Sequence, residues 1–391
     1  VERLSSIQEA LQEARLDGWL LYDFHNRDQI SYRILGLDSG KMSTRRWYYF
    51  IPSRGEPRKL CHSVEPHKLD GLPGEKKIYL AWQKQHELLR EMLSGSRRVA
   101  MQYSENCLIP SVSLADAGTV ELVRSFGVEV VSSADLVQKF EAAINDRDFS
   151  SHLEAGRRVH AVLDETFAQI GRCVKGAGAT EFEIQRFMLD RYREQGLVWG
   201  DPPIVAVNVH ASDPHFEPRQ DNTVTIKPGD RVLIDLWAKL SGPRAIYFDI
   251  TWMAYVGENV PEDYARVFSI AREARDRAVS LVERRMESGE LLRGWEVDQV
   301  CRSHIEAHGY GPYFVHRTGH SIGEEVHGNG VNIDNLETRD DRLIVPGTLF
   351  SVEPGIYLPE FGVRTEIDCY VDANRQVRIG GPRQAEIVRI V

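Results

Sequence analysis

RVLIDLWAKLSGPRAIYFDITWMAYVG, residues 231–257, is the stretch that decides how this chain folds. Its two halves are rich in Val, Leu, Ile, Phe and Trp, which fit a pleated, half-buried surface, and the SGPR run between them is turn chemistry. It reads as two strands folded back on each other. Each strand carries one aspartate, Asp235 and Asp249, fourteen residues apart, and a hairpin could bring both to one face because side chains alternate across a strand. Either aspartate alone is more readily a turn or edge residue. Two of them inside apolar runs call for an opposite charge to meet them, since an unpaired buried carboxylate is costly.

Working outward from the hairpin, IVAVNVH and TVTI precede it and TLFSVEPGIYL, VRTEIDCYV and VRI follow, all strand-like and separated by turn signals such as KPGD. Helical patterns flank them. One begins within INDRDFSSHLEAG and carries Leu153, Val159, Leu163, Phe167 and Ile170 at helical spacing. Another starts at Thr180 with Glu183 three residues on, a capping-box spacing, and runs to about Gln195. Two more are expected from about Pro261 to Met286 and from Val297 to His308. Earlier in the chain, helices and strands alternate (Leu4–Ala14, then WLLYDF, RRWYYFIP, the Trp82–Leu93 stretch, RRVAMQY and VEVVSS), which suggests an α/β layer. The expected organisation is an α/β domain over 1–147 followed by an α+β domain over 148–391.

The bulk composition narrows the function classes. At 391 residues, 42% hydrophobic and 27% charged, the chain can bury a sizeable core and is not disordered. A formal net charge of -10 argues against a nucleic-acid partner, whose phosphates need a basic surface. Five cysteines, Cys61, Cys107, Cys173, Cys301 and Cys369, lie far apart with no CxxC pair, so neither a disulfide framework nor a thiolate zinc site is expected, and a reducing cytoplasm fits. No apolar run is long enough for membrane insertion and the first residues lack an apolar signal core. No membrane partner is expected.

Three further segments carry chemistry. In FVHRTGHSIGEEVHG, His316, His320 and His327 fall within a dozen residues, and Gly319 and Gly323 argue against a regular helix through the segment, so this is not the HExxH helix of zinc proteases. A loop of surface histidines is an equal reading of that segment by itself. Glu353 in FSVEPGIY and Glu366 in VRTEIDCY stand in strand-like text, where a lone Glu is commonly solvent-facing. Together with the two aspartates they make four carboxylates and one imidazole, a donor set suited to hard or borderline divalent metals. Four anions exceed what one cation requires, so two metals sharing bridging carboxylates are expected.

The order Asp, Asp, His, Glu, Glu, set in PHFEP, IDLWA, FDITW, HRTGHSIGEEVH, SVEPGIY and VRTEID, resembles the pita-bread metallopeptidases: Xaa-Pro dipeptidase (prolidase), aminopeptidase P and methionine aminopeptidase. The resemblance covers about Leu153 to the C-terminus, and the preceding region is similar to the creatinase-type domain of the proline-specific members. It implies a pita-bread α+β catalytic domain and two divalent ions per chain, manganese first and zinc or cobalt next. Asp235 would bind one ion, Asp249 and Glu366 would bridge both, and His320 with Glu353 would complete the other. A bridging water would be the nucleophile, with Glu353 shuttling its proton. His327 would steady the substrate carbonyl, His215 would face the prolyl side, His316 would line the pocket, and Arg364 and Tyr357 would orient the ligands. A homodimer acting on Xaa-Pro dipeptides in the cytoplasm is implied.

Three departures from the family pattern stand out. The acidic pair is fourteen apart where the family usually has eleven, so the SGPR turn resembles a three-residue insertion. Asp201 stands where the family often has tyrosine, and GHSIG replaces the commoner GHGIG. A dipeptidase must also bind a free carboxylate, for which a forked guanidinium is suited. Arg339, in ETRDDRL, matches an arginine with that role in prolidases, with Arg342 as its neighbour; two solvated charges are an equal reading. Aminopeptidase P activity on longer peptides, a creatinase-like metal-free hydrolase and a non-catalytic binding member are the rivals.

Overall fold

The computed structural model describes residues 2–391. They divide into two units, the first ending at Glu141 and the second spanning Ala142–Val391. The division falls six residues before the sequence-read boundary of 147. The second unit claims the intervening residues because Ile144 donates its N–H to Gly347 O and Asn145 caps the helix that opens that unit.

The first unit is a six-stranded mixed sheet in the order Glu75–Tyr79, Arg58–His62, Trp47–Pro52, Gly18–Asp23, Arg98–Met101, Glu129–Ser132. Gly18–Asp23 pairs antiparallel with Trp47–Pro52 and parallel with Arg98–Met101. Both of its faces are covered. Trp19 and Leu21 pack on one side with Ile7 and Leu11 of helix Glu2–Glu13, and Leu20 and Tyr22 pack on the other with Leu88 and Leu89 of helix Trp82–Met92. The unbroken apolar run WLLY follows from this two-sided burial.

The second unit opens on the helix Asp146–Val174, where Asn145 accepts from the Arg147 and Asp148 N–H groups and Asp148 returns the bond to Asn145 N–H. Helix Glu181–Glu194 starts with the Thr180/Glu183 capping box read from the sequence. The central sheet contains Ile204–Val207, Arg231–Leu240 and Phe248–Val256, edged by Val388–Ile390 and Leu197–Val198. Ile234, Leu236, Phe248 and Ile250 face the first helices, beside Val159 and Leu163. Leu233 and Met253 face the other way, into a core shared with helices Glu262–Ser288 and Gly294–Ala307 and the C-terminal strands.

Helix Gly294–Ala307 begins three residues before the expected Val297. Arg293 is the capping residue, with Glu296 accepting its N–H, and arginine is not a residue that signals an N-cap. The C-terminal strands form two ladders, Leu349–Val352 with Ile367–Val371 and Gly355–Tyr357 with Gly362–Arg364. The HRTGHS segment is extended and lies beside the first of them, through bridges Gly319 to Ile333 and Ser321 to Phe350.

Candidate active site

The hairpin register pairs Asp235 with Thr251 and Trp237 with Asp249. Asp235 and Asp249 are therefore diagonal neighbours on one face of the sheet, where side chains remain within reach of each other. That face looks toward the C-terminal ladders, which supply Glu353 just after one strand and Glu366 just before another. His320 reaches the same place because its segment lies tight against Ser351. Its N–H is received by Ser351 Oγ at 3.0 Å, and a side chain on Gly319 would meet Ser351 O at 1.9 Å. Only glycine allows that approach.

The five sequence-read ligands converge. Asp249, His320 and Glu366 offer ligand atoms that all lie within 4.8 Å of one another. His320 Nε2 is 3.5 Å from Asp249 Oδ2 and 3.4 Å from Glu353 Oε1. Arg364 ties in Asp235 through a direct guanidinium–carboxylate bond and stands 3.8 Å from Glu353. All five border one cavity of about 190 Å³, together with His215, His316, His327 and Arg364.

The electrostatics of this floor leave room for cations. Asp249 and Glu366 are pushed well above the usual carboxylate range, first by burial, then by repulsion from Asp235 and Glu353 on Asp249 and from Asp249, Glu353 and Asp235 on Glu366. Burial opposes the charge on Arg364, yet Tyr357, Asp235, Glu353 and Glu366 more than reverse this and hold the guanidinium charged. One guanidinium cannot neutralise four carboxylates. Asp235 Oδ1 is buried with no hydrogen-bond donor among the described residues. Oxygen donors crowded around one imidazole, with an orphaned buried oxygen, fit divalent metal ions.

The histidines differ in what they can do. His316 Nδ1 donates to Arg317 O at 2.6 Å, which leaves Nε2 to accept the Tyr357 hydroxyl at 2.7 Å. Burial, with help from Arg364, lowers its pKa to about 3. With both nitrogens engaged, His316 has none left for proton transfer and acts by holding Tyr357. His327 stands edge-on to His320, ring centres 4.4 Å apart, and its pKa is lowered to about 3, first by His320, then by burial and Arg317. It is a neutral donor or acceptor at the cavity wall.

Arg339 corrects a sequence expectation. It lies outside the cavity, with Nε 3.5 Å from Asp341 Oδ1 and the guanidinium 4.5 Å over the Trp295 ring. Its neighbour Arg342 is buried against Asp340 and Asn329 O. The turn explains the miss. Asp334 gathers the N–H groups of Leu336, Glu337 and Thr338, so the chain presents Glu337 to the cavity instead. Besides Arg364, the guanidinium that lines it belongs to Arg317, inside the HRTGH motif and adjacent to a histidine already singled out.

Two more residues escaped the sequence reading. Thr251 Oγ1 accepts from Arg364 Nε at 2.9 Å and donates to Glu366 Oε2 at 2.8 Å, linking cation to ligand. Asp368 accepts the backbone N–H of Asp249 at 2.9 Å. Both obey strand alternation, lying two residues after Asp249 and Glu366 respectively, and that parity was the available signal.

The model of metallopeptidase family M24 matches residues 150–373. An uncharacterized peptidase of Bacillus subtilis, YqhT, is 31% identical over 249 residues, covering 63% of this chain and 64% of that protein. An Xaa-Pro dipeptidase of Lactobacillus delbrueckii subsp. lactis is 36% identical over 170 residues, 43% of this chain and 41% of that protein. The matched part thus spans less than two thirds of either relative. Among solved structures, dipeptidase PepE of Mycobacterium ulcerans superposes with a TM-score of 0.71 at 21% identity, over 100% of this chain and 97% of that one, showing a shared fold.

Proposed function

The chain belongs to metallopeptidase family M24, and from that premise we propose that this hydrolase is a dinuclear Xaa-Pro dipeptidase, cutting the bond before a C-terminal proline. The observation that carries the reading is the floor of the cavity, four carboxylates and His320 held together around one guanidinium. Asp235, Asp249, His320, Glu353 and Glu366 would hold two divalent ions, manganese first, because four of the five donors are carboxylates. Those ions would supply an acidified water and a Lewis acid for the scissile carbonyl.

The chain's own residues do the remaining work. Glu353, less buried than the other ligands, takes the proton of the attacking water and delivers it to the departing prolyl nitrogen. Neutral His327 steadies the carbonyl oxygen as charge develops on it. His215, on the segment whose Pro214 O receives Arg364, faces the prolyl ring. Thr251 and Arg364 keep Glu366 and Asp235 aimed.

Arg317 supports the dipeptide limit. Among the described residues its guanidinium has no ion-pair partner, although it stands close enough to lower the His320 and His327 pKa values. It takes over the carboxylate-binding role expected of Arg339, since an unpaired guanidinium at the cavity wall suits a substrate's terminal carboxylate. A volume of about 190 Å³ falls below the roughly 300–1,000 Å³ of pockets for drug-sized ligands and suits a small peptide. The reading includes a homodimer in the cytoplasm. No helix among the described residues is long and apolar enough to cross a membrane.

Metal analysis of the purified protein, combined with proline release from Xaa-Pro dipeptides and cleavage of an Xaa-Pro-Xaa tripeptide, tests all of this. Two metals per chain with dipeptide-only turnover is the expected result. Comparable tripeptide cleavage would make it an aminopeptidase, and undiminished turnover after exhaustive chelation would end the metal reading.

A further inference from the structure

Trp237 stands beside the metal floor with no role in it. It lies on the same face of its strand as Asp235 and directly opposite Asp249, lines the cavity, and packs against the apolar cluster that contains Tyr247 and Ile322. Its indole N–H is buried without an acceptor among the described residues. Asp201 lines the same cavity from the exposed rim. It adjoins Gly200, where a Cβ would lie 3.9 Å from the Tyr247 hydroxyl, so Asp201 and Trp237 share the Tyr247 side of the cavity. The nearest cation on this strand face, Lys239, is occupied, bonded to Glu324 O and placed over the Tyr247 ring. Among the described residues the Asp201 carboxylate has no ion pair or hydrogen bond. The other rim carboxylate, Glu337, is bonded to the backbone N–H of Arg317, on the side of the cavity already assigned to the substrate's carboxylate.

We propose that Trp237 and Asp201 form the subsite for the side chain of the substrate's N-terminal residue and that it favours a basic side chain. This rests on the Xaa-Pro reading above. The α-ammonium of a dipeptide is only two bonds from the scissile carbonyl carbon, so it stays beside the buried floor. Asp201, exposed at the rim, is met by a longer arm. A lysine or arginine side chain lays its methylene stem along an aromatic wall and keeps its charge at the water's edge, where the ring and the carboxylate attract it. A glutamate side chain meets a like charge in the same place.

The test is kcat/KM of the metal-loaded full chain for Lys-Pro, Leu-Pro and Glu-Pro at one ionic strength. An exposed ion pair plus a cation–ring contact gives a Lys-Pro to Glu-Pro preference of about three- to thirtyfold, carried mainly by KM. Asp201→Asn collapses that ratio, Asp201→Lys inverts it, and Trp237→Phe keeps more of it than Trp237→Leu. Equal values for Lys-Pro and Glu-Pro, or a ratio that survives Asp201→Asn, overturn the subsite while leaving the dipeptidase reading intact. If none of the three dipeptides is cleaved, the dipeptidase reading fails and the subsite falls with it.

Discussion

Replacing Thr251 with valine removes one oxygen from the buried core and leaves the volume almost unchanged. That oxygen joins Arg364 to Glu366, accepting at 2.9 Å and donating at 2.8 Å. In Thr251→Val the guanidinium Nε and Glu366 Oε2 each lose a buried partner. A hydrogen bond to a charged group is worth about 1.5–3 kcal/mol and a neutral one about 1 kcal/mol, so the metal-free variant loses about 2.5–4 kcal/mol. Glu366 is also left free to rotate, and losing such an orienting bond weakens metal binding about 10- to 100-fold. The linkage makes this measurable without any substrate. With metal at a hundred times its dissociation constant, the wild type gains about 2.7 kcal/mol. At the same metal concentration the variant gains only about 1.4 to 0.4 kcal/mol. Thermal melting with and without manganese, alongside a binding isotherm, reads both terms, and Thr251→Ser is expected to recover most of each. A valine variant with wild-type metal-induced stabilisation would refute the idea that this hydroxyl aims Glu366.

Other expectations follow from the same geometry. Asp249→Asn is expected to lower turnover by orders of magnitude while the metal-free fold survives or gains stability, because a repelling charge is removed; circular dichroism and kcat check both. Arg317→Gln is expected to raise KM for an Xaa-Pro dipeptide about 10- to 100-fold, as loss of a charge-assisted carboxylate bond implies, whereas Arg339→Gln leaves KM in place. The metal-free protein should lose stability as pH rises. Asp249 and Glu366 have folded pKa values above their unfolded ones, so the folded state holds the extra protons and its advantage is lost as pH climbs from the unfolded range of about 4 through the raised values. Buried His152, lowered to about 4, has the opposite slope below its unfolded pKa of about 6.5, so denaturant melts are best compared from about pH 6.5 upward. A flat profile for the metal-free protein there would contradict the carboxylate crowding.

The clustered carboxylates of the candidate site were legible because their chemistry conflicts with their surroundings. An aspartate in VLIDLWA and another in YFDITW break apolar runs, and a buried charge demands a partner whatever the topology. The α/β and α+β layers were legible from period and turn residues, and the Thr180/Glu183 cap from its spacing. What stayed hidden was decided by turns and neighbours. Whether Arg339 meets the cavity depends on which N–H groups Asp334 collects, and no period in the sequence encodes that. Trp237 and Thr251 were within reach of the parity rule once Asp235 and Asp249 were placed on one face, yet a tryptophan and a threonine in strand text raise no conflict of their own. The capping residue Arg293 hid the start of its helix for the same reason.

The supports that make the site possible also make it a poor place to fold without metal. Arg364 bonds Asp235, Thr251, the Tyr357 hydroxyl and Pro214 O, so four chain segments meet on one buried guanidinium. Substituting it with methionine keeps much of the stem's volume and removes the positive charge bonded directly among the four carboxylates. Truncating one partner of a buried charge pair costs about 3–5 kcal/mol, and here the uncompensated charge is larger than one. Arg364→Met is therefore expected to be folded when divalent metal is saturating and to melt far lower after chelation, a wider metal dependence than the wild type shows. Lysine at this position would restore the charge without the fork that spans Asp235 and Thr251, recovering stability but not metal affinity. If Arg364→Met melted like the wild type with metal removed, the guanidinium would not be what holds these carboxylates together, and the electrostatic account of the site would have to be abandoned.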